Sequence, residues 1–516
     1  MQEQQLRLGD DFRSEALSEP APKAESPSGP TSIRCKPINR YIYELRPFAL
    51  DSLIEEDHPA RALVAFIEEL DLTLFEQDIQ AFEGRAGQAP FSPAVLIALW
   101  LQACCDGVGS AREVSRRCVH HPVYRWLCGD DPINYHTLAD FRVKRRQALD
   151  HFFVEVLGVL NYQGLIRLER VMHDGTKIRA LASPASFHRQ KTIEESYREA
   201  EEQVKALGEP EQDSPNVRAR RQAEERARQL AEAREILQQQ QARKKTAEER
   251  AEVRVSTTEP EARIMKLPDK SFGPAYNGQI TTDAENGIIV GVEVTQQGSD
   301  FEQLTPALEA VNERFGQMPG QTVVDGGYVS RANIVELSGR TDLIGPAGVL
   351  DKDAKERQRR NGIADEFAHE MFVYDRATNT FRCPAGCHLK EVSKRRGTGK
   401  IDHLYQARAA DCGRCEHKAR CCPKTKQRRV TRIEEDEAVE RFRHKMKDEE
   451  LKAIYKTRAQ IAEFPNCWLK QKFGLRRFHV RGLAKVGTEL LWHVIAYNLH
   501  QWIRLVWRQG AGEVAA

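Results

Sequence analysis

The chain has 516 residues, too many for one simple core, and at roughly 100–200 residues per domain it divides into three or four units. Its 78 Lys and Arg against 76 Asp and Glu leave a formal charge of +2, so a polyanion-binding surface has to be local rather than global. Hydrophobic residues at 40% and charged residues at 30% describe a globular protein, and 33 Gly with 23 Pro exclude collagen-like or proline-rich character. The longest apolar run, Ala94 to Cys105, is interrupted by Gln102 and falls short of the ~20 residues a bilayer requires. The opening MQEQQLRLGDDFRSEALSEP is polar and does not read as a secretory signal, so the expected compartment is the cytoplasm. There, 12 cysteines are expected as thiols or metal ligands rather than disulfides.

Residues 1–45, rich in Ser, Pro, Glu and Ala, read as a disordered tail. Helical spacing begins near Leu53, with Ala62, Leu63, Phe66, Ile67 and Leu70 on one face. Ser92-Pro93 starts a strongly apolar helix and Ser110 another. Tyr135-His136-Thr137 leads into a third, so 46–165 is expected as a helical, DNA-binding domain. At 166–185 the period changes: LERVMHDGTKIRALAS alternates as a strand or strand pair. Residues 186–255 are a charged helical insertion; within 191–250, 13 basic and 14 acidic residues leave little to bury. Strands return over 256–350. YNGQITTD and GIIVGVEVTQQGSD flank an AENG turn, FEQLTPALEAVNERFG is a helix, and QTVVDGGYV and TDLIGPAG are short strands around the helix SRANIVELSGR. Residues 351–430 are a basic, Cys-rich insertion. Residues 431–507 are helical again and end in the apolar LAKVGTELLWHVIAYNLHQWIRLVW; 508–516 is a tail. The whole is an α/β protein with a mixed sheet.

Asp174 follows the apolar strand ERVMH and Asp325 follows TVV, each at a strand end, where a side chain is held rigidly at a sheet rim. Two such acids repel unless a divalent cation lies between them. Each also reads as an ordinary Asp-Gly turn. The stretch from Tyr455 through Arg458 and Glu463 to Lys470 breaks the tie. Glu463 and Lys470 are seven apart, two helical turns on one face, although Pro465 interrupts the helix just past the Glu.

With these residues the chain resembles the bacterial insertion-sequence DDE transposases, in the group whose last acidic motif reads Y-x2-R…E-x6-K. The resemblance spans the SPAVLIALWL and S.REV helices, VMHDGTKI, the YNGQITTD hairpin, VVDGGY, the Cys-rich insertion and the F-x-x-R-G-x-x-K…AYNL tail. It implies an RNase H-like core, a mixed five-stranded sheet with flanking helices, carrying Asp174 on the first strand, Asp325 on the fourth and Glu463 on a later helix as the catalytic and metal-binding acids. Three carboxylates suit two Mg²⁺ ions, with Mn²⁺ as the substitute, clamping the attacking and leaving oxygens of an in-line displacement. Asp300, Asp283 and Glu293 are rival acids, read as turn or surface residues, with Asp300 the first to test; His173 packs or faces solvent beside Asp174.

Tyr455, Arg458 and Lys470 are expected to hold DNA near the acids. Trp468 to Lys485 adds Lys472, Arg476, Arg477, Arg481 and Lys485 without an acid, a phosphate-tracking strip. Its Trp468, Phe473 and Phe478 either stack on bases or pack inward. Arg112, Arg116 and Arg117 on one helix, and Arg142, Lys144, Arg145 and Arg146 on the next, either read transposon ends or form a solvated basic face. Cys383-x3-Cys387 and Cys412-x2-Cys415, with Cys421-Cys422 beyond, read as a tetrahedral Zn²⁺ site. Cys383, Cys412 and Cys415 are ligands and Cys387 or Cys421 is the fourth. Residues 391–430 carry 12 basic and 4 acidic residues, +8 by subtraction, which suits DNA contact. Cys104, Cys105, Cys118 and Cys128 read as core.

The expected activity is metal-dependent cleavage and strand transfer at the terminal inverted repeats of an insertion sequence. The partners are double-stranded DNA, both ends and target, with no membrane. A homodimer in the assembled DNA complex follows from the resemblance, and the charged insertion is the candidate contact. The alternatives are an RNase H-like endonuclease that cuts without joining, or an inactive DNA-binding derivative.

Overall fold

In the computed structural model, residues 48–77, 79, 89–208, 216–351, 356 and 358–508 are described. The expected tails at 1–45 and 508–516 fall outside them, apart from Arg508.

From Ala49 the chain builds helices. Pro59–Glu68 (α1) buries Ala62, Leu63, Phe66 and Ile67, as its spacing predicts. Pro93–Cys105 (α2) starts with its proline in the first turn, where a missing N–H costs nothing, and is buried on nearly all sides. Ala111–His120 (α3) is capped by Ser110, whose Oγ accepts from the Glu113 N–H. Tyr135–Lys144 (α4) breaks at Arg145 before Arg146–Tyr162 (α5).

The central sheet contains six strands, one more than the sequence suggests. Arg170–Arg179 (β1) lies in the middle. It pairs antiparallel with Phe272–Asp283 (β3), bringing Asp174 opposite Ile280, and parallel with Gln321–Val324 (β5), bringing His173 opposite Val324. Asp342–Ile344 (β6) adds a parallel edge. The extra strand arises because β3 is long. Ile289–Thr295 (β4) pairs along its later half, and Arg263–Lys266 (β2) pairs along the earlier half. Helices Leu304–Phe315 (α8) and Arg331–Leu337 (α9) connect the parallel strands.

Between β1 and β2 the charged segment folds as two helices, Gln190–Leu207 (α6) and Asn216–Ala242 (α7), which pack on each other. A small cluster of Ile193, Ala233, Leu237, Val253 and Val255 and a two-residue strand pair close its base. The Cys-rich segment contains a five-stranded antiparallel meander that its polar sequence does not announce: Val373–Asp375, Thr380–Arg382, His388–Gly397, Lys400–Gln406 and Arg429–Glu435. It has its own core of Phe372, Phe381, Leu389, Tyr405, Ala407 and Val430.

Glu437–Lys445 (α10) leads to Glu449–Cys467 (α11), which packs on β1, β3 and β5. Contrary to the sequence expectation, Pro465 does not interrupt this helix. The bond it cannot make is the one to the Ile461 carbonyl, and the backbone rewinds as a π-helical turn over Trp468–Lys472. Leu483–Trp502 (α12) is buried along almost its whole length and packs on both α2 and β4, so one continuous core joins the N-terminal helices to the sheet. Among the described residues no helix is long and apolar enough to cross a membrane.

One buried polar cluster pins this junction. Glu489 of α12, 1% exposed, accepts from the His479 N–H at 2.8 Å and lies 2.8 Å from His479 Nδ1. Arg142 of α4, 8% exposed, lies over the Trp100 ring at 4.6 Å and donates to the Gly109 carbonyl. Burial acts to raise the Glu489 pKa, but His479, Arg142 and His493 outweigh it and hold the carboxyl below its usual range. A depressed carboxyl contributes stability above its unfolded pKa and loses it as pH falls through the folded value. Glu489→Ala is therefore expected to lower unfolding stability by about 3–5 kcal/mol at neutral pH, with a smaller deficit in acid, in denaturant titrations.

Candidate active site

Asp174 is the fifth of the ten residues of β1, not a strand end as the sequence suggested; it follows the last residue paired with β5, and that register sets Asp325 beside it. Glu463 comes from α11. Two of the acids flank one cation: Arg458 Nη1 lies 3.6 Å from Asp174 Oδ1, and Arg458 Nη2 lies 3.6 Å from Glu463 Oε1. The Arg458 and Asp174 side chains are 15% and 18% exposed, whereas Glu463 is 60% exposed. Asn466 Nδ2, one turn beyond Glu463, donates to Asp174 Oδ2 at 3.0 Å. Burial raises the Asp174 carboxyl to about 6; Arg458 and Asn466 oppose the rise, and the neighbouring Asp325 adds to it. Asp325 Oδ1 accepts the Gly327 N–H at 2.7 Å, an Asx turn that fixes the side chain at the strand end.

Lys470 is drawn inward by the π turn. Burial lowers its amine to about 8, Asp174 counters this, and Lys177 adds to it. It stands near Asp174 and Lys177. The exposed charges of the strip are Lys472, Arg476, Arg477, Arg481 and Lys485. The loop bearing Arg476 and Arg477 runs beside the end of β1: Arg179 N–H donates to the Arg476 carbonyl and Phe478 N–H to the Arg179 carbonyl. Phe473 and Phe478 are buried, which removes them as base-stacking platforms. Tyr455 is half-buried against the core.

The basic residues of the N-terminal helices are largely engaged. Arg116 makes two bonds to Glu113, at 2.8 and 2.7 Å, and Arg112 lies over the Tyr135 ring at 5.0 Å. Arg117 pairs with Glu113 and Asp106, Lys144 with Asp140 and Arg146 with Asp150; Arg145 donates to the Phe75 carbonyl. Arg142 is buried and therefore structural, a correction to its place in a DNA-facing set.

Of the rival acids, Asp283 is buried and caps the turn into β1, accepting the Arg167, Leu168 and Glu285 N–H groups. Glu293 is exposed on β4. Asp300 is neither a turn cap nor a free surface group: it accepts from Lys177 Nζ at 3.0 Å and from Asn277 Nδ2 at 2.7 Å. His173 is fully buried between Thr281 and Gln279 and does not face solvent; burial depresses it to about 4.

Cys383, Cys387, Cys412, Cys415, Cys421 and Cys422 line one cavity of the meander module. Cys383 Sγ accepts the Cys387 N–H at 3.3 Å, and Cys412 Sγ accepts the Arg428 N–H at 3.5 Å. Burial pushes the Cys421 thiol up to about 12. Of the four expected core cysteines, Cys104, Cys118 and Cys128 are buried and Cys105 is half-buried. Among the described residues, no group of three or more His, Cys, Asp or Glu side chains is arranged to hold a metal ion.

Sequence reasoning missed Asn466 as a partner of Asp174 and Lys177 as the partner of Asp300. Lys177, three residues past Asp174 in one strand, falls on the opposite face, and Asn466 lies after the proline, so neither spacing was a signal.

Two family models match the chain. Residues 382–503, the segment that carries Glu463, match the family described as Transposase DDE domain. Residues 48–144 match Transposase domain (DUF772). Together the two matches support an insertion-sequence DDE transposase. No curated protein and no solved structure matches it. A transposase domain implies a DNA substrate, and DDE transposases generally use divalent metals.

Proposed function

We propose that this transposase cleaves DNA strands at the terminal inverted repeats of its own element and joins them to target DNA, with Asp174, Asp325 and Glu463 as the acids of an RNase H-like core. The observation that carries the reading is the gathering of Asp174 and Glu463 on either side of Arg458, beside Asp325. A sheet with β1 between an antiparallel flank and two parallel strands supports the same architecture.

The donor set fits Mg²⁺ or Mn²⁺ in chemistry: hard carboxylate oxygens, with a cation already drawn among them. In the present arrangement that cation is the Arg458 guanidinium, so loading requires it to swing away from Asp174. Two bound ions would supply charge neutralisation at the attacking and leaving oxygens. The chain's own contribution is positional. Asn466 orients Asp174, the Asx turn orients Asp325, and Lys470 supplies a positive charge beside Asp174. Lys472, Arg476, Arg477 and Arg481 offer phosphate contacts along the end of β1, with Arg112 and Arg116 at the helical N-terminal region. The work is placed in the cytoplasm on nucleoid DNA, by a homodimer in the assembled complex. The α6–α7 hairpin is the proposed contact, on the ground of its charged, weakly buried faces; deleting 190–250 should abolish paired-end complexes.

A strand-transfer assay with pre-cut ends and a target plasmid tests the reading. Joined products are expected with Mg²⁺. Cleavage without joining would reduce the protein to a nuclease, and end binding without either would make it a DNA-binding derivative.

The cysteine cavity is proposed to take one structural Zn²⁺ through Cys383, Cys412, Cys415 and either Cys387 or Cys421. Backbone N–H groups already aimed at Cys383 Sγ and Cys412 Sγ suit thiolate ligands. Purified protein is expected to hold one zinc per chain by elemental analysis, and Cys412→Ser to lose it with a fall in melting temperature. Whichever of Cys387→Ser and Cys421→Ser also loses zinc is the fourth ligand. Metal-free wild-type protein with unchanged stability would refute the site.

A further inference from the structure

Asp300 lies on the reverse side of the catalytic strand from Arg458, and its carboxylate is saturated by donors from the sheet. Lys177 Nζ reaches Oδ1 at 3.0 Å and Oδ2 at 3.3 Å, Asn277 Nδ2 reaches Oδ1 at 2.7 Å, and Gln279 Nε2 reaches Oδ1 at 3.1 Å. The side chains of Lys177 and Asp300 are only 14% and 23% exposed. An acid with three donors on one oxygen is not free to serve as a metal ligand, but it can fix what surrounds it.

What it fixes is the backbone beneath the catalytic acids. Because Gln279 gives its amide N–H to Asp300, its Oε1 must face the other way. There it accepts from the Tyr328 hydroxyl at 2.6 Å and lies 3.0 Å from His173 Nε2. Asp300 thus sets the direction of a buried network that ends on the residue preceding Asp174 and on the tyrosine of the Asp325 loop. The strand rests directly on this network. A Cβ at Gly175 would lie 2.8 Å from each of Asp300 Oδ1, Gln279 Nε2 and the Tyr328 hydroxyl. In the turn after β5, a Cβ at Gly327 would lie 2.9 Å from Asp325 Oδ1 and 3.7 Å from Asp300 Oδ2. Asp300 therefore touches the backbone next to both aspartates.

We infer that Asp300, paired with Lys177, is a positioning residue of the strand-transfer reaction, holding Asp174 and Asp325 at the separation and net charge that a divalent cation requires. The inference rests on the proposed metal-dependent function and adds a fourth acid and a second lysine to it. The pair is a balanced charge. Removing the acid leaves the buried Lys177 charge uncompensated near the cation site; removing the lysine leaves the Asp300 charge uncompensated there.

The two partners should therefore shift metal affinity in opposite directions, which a merely structural role does not do. Mn²⁺ binding is measured on the full-length protein without DNA, by electron paramagnetic resonance of the free ion. In parallel, Mg²⁺ titrations follow cleavage of end DNA. Asp300→Asn is expected to weaken Mn²⁺ binding about tenfold and to raise the Mg²⁺ requirement for cleavage similarly, with end binding within about twofold of wild type. Lys177→Met is expected to tighten Mn²⁺ binding by a few fold, and the double variant to return toward wild type. Equal Mn²⁺ affinities in wild type and Lys177→Met, or a wild-type Mg²⁺ requirement in a folded Asp300→Asn, overturn the inference. Asp174→Asn runs alongside: if it binds Mn²⁺ and cleaves as wild type does, the proposed function fails instead.

Discussion

Asp174→Asn is expected to lose end cleavage by on the order of 10³-fold or more while its melting temperature stays equal to wild type or rises. The first half follows from removing a metal-binding carboxylate, since a bound ion contributes several kcal/mol of transition-state stabilisation and each 1.36 kcal/mol is tenfold in rate. The second half follows from the burial that lifts the Asp174 carboxyl to about 6. A carboxyl whose folded pKa is raised opposes folding increasingly as pH climbs above its unfolded pKa, and fully above the folded value, by about 1–3 kcal/mol for a shift of this size. The amide has nearly the same shape, can still accept from Asn466, and carries no charge to repel Asp325. It gives up the attraction of Arg458, a 3.6 Å ion pair, which offsets part of the gain. Cleavage and thermal unfolding of one preparation decide it. Near wild-type cleavage, or inactivity accompanied by unfolding, would remove Asp174 from the centre. Asp325→Ala should likewise abolish cleavage with end binding retained.

Gly175→Ala should be the most damaging single methyl at the site. Its carbon would sit 2.8 Å from three polar atoms that are hydrogen-bonded into one network, so none can retreat alone. Overpacking of this kind costs about 1–3 kcal/mol. The strand would have to lift beside Asp174, and a misplacement near 1 Å can cost about 10²-fold in rate. A variant with wild-type melting and wild-type cleavage would show that the network yields freely.

This glycine shows where sequence reading stops. Asp174-Gly175 reads equally well as a turn pair, yet β1 runs straight through it from Arg170 to Arg179. The need for glycine comes from Asp300, Gln279 and Tyr328, brought there by strand register and by the loop after β5, neither of which is written locally. What local pattern could supply, it did. Helical spacing gave α1, the Ser110 cap gave α3, and the AENG turn gave the β3–β4 hairpin. The acids themselves were visible as aspartates closing apolar runs and through the Tyr455–Lys470 motif, although only Asp325 sits at a strand end. The meander over 373–435 was hidden because its strands are short or mostly exposed, so the alternation that marks a half-buried strand is faint. Arg142 looked like a DNA contact because its charge is evident in the sequence, while the Trp100 ring it covers is not its neighbour there.

The bond between Asn466 and Asp174 spans 292 positions. During synthesis at ~5–20 residues per second, roughly 15–60 s separate the emergence of its two ends from the ribosome. Through that interval the nascent chain already displays its N-terminal helices and both aspartates, but neither Glu463 nor the final helix on which the earlier ones pack. On the proposed assignment, a chain that stops before Glu463 carries two of its three acids and lacks the helix that orients Asp174, and it is expected to be inactive.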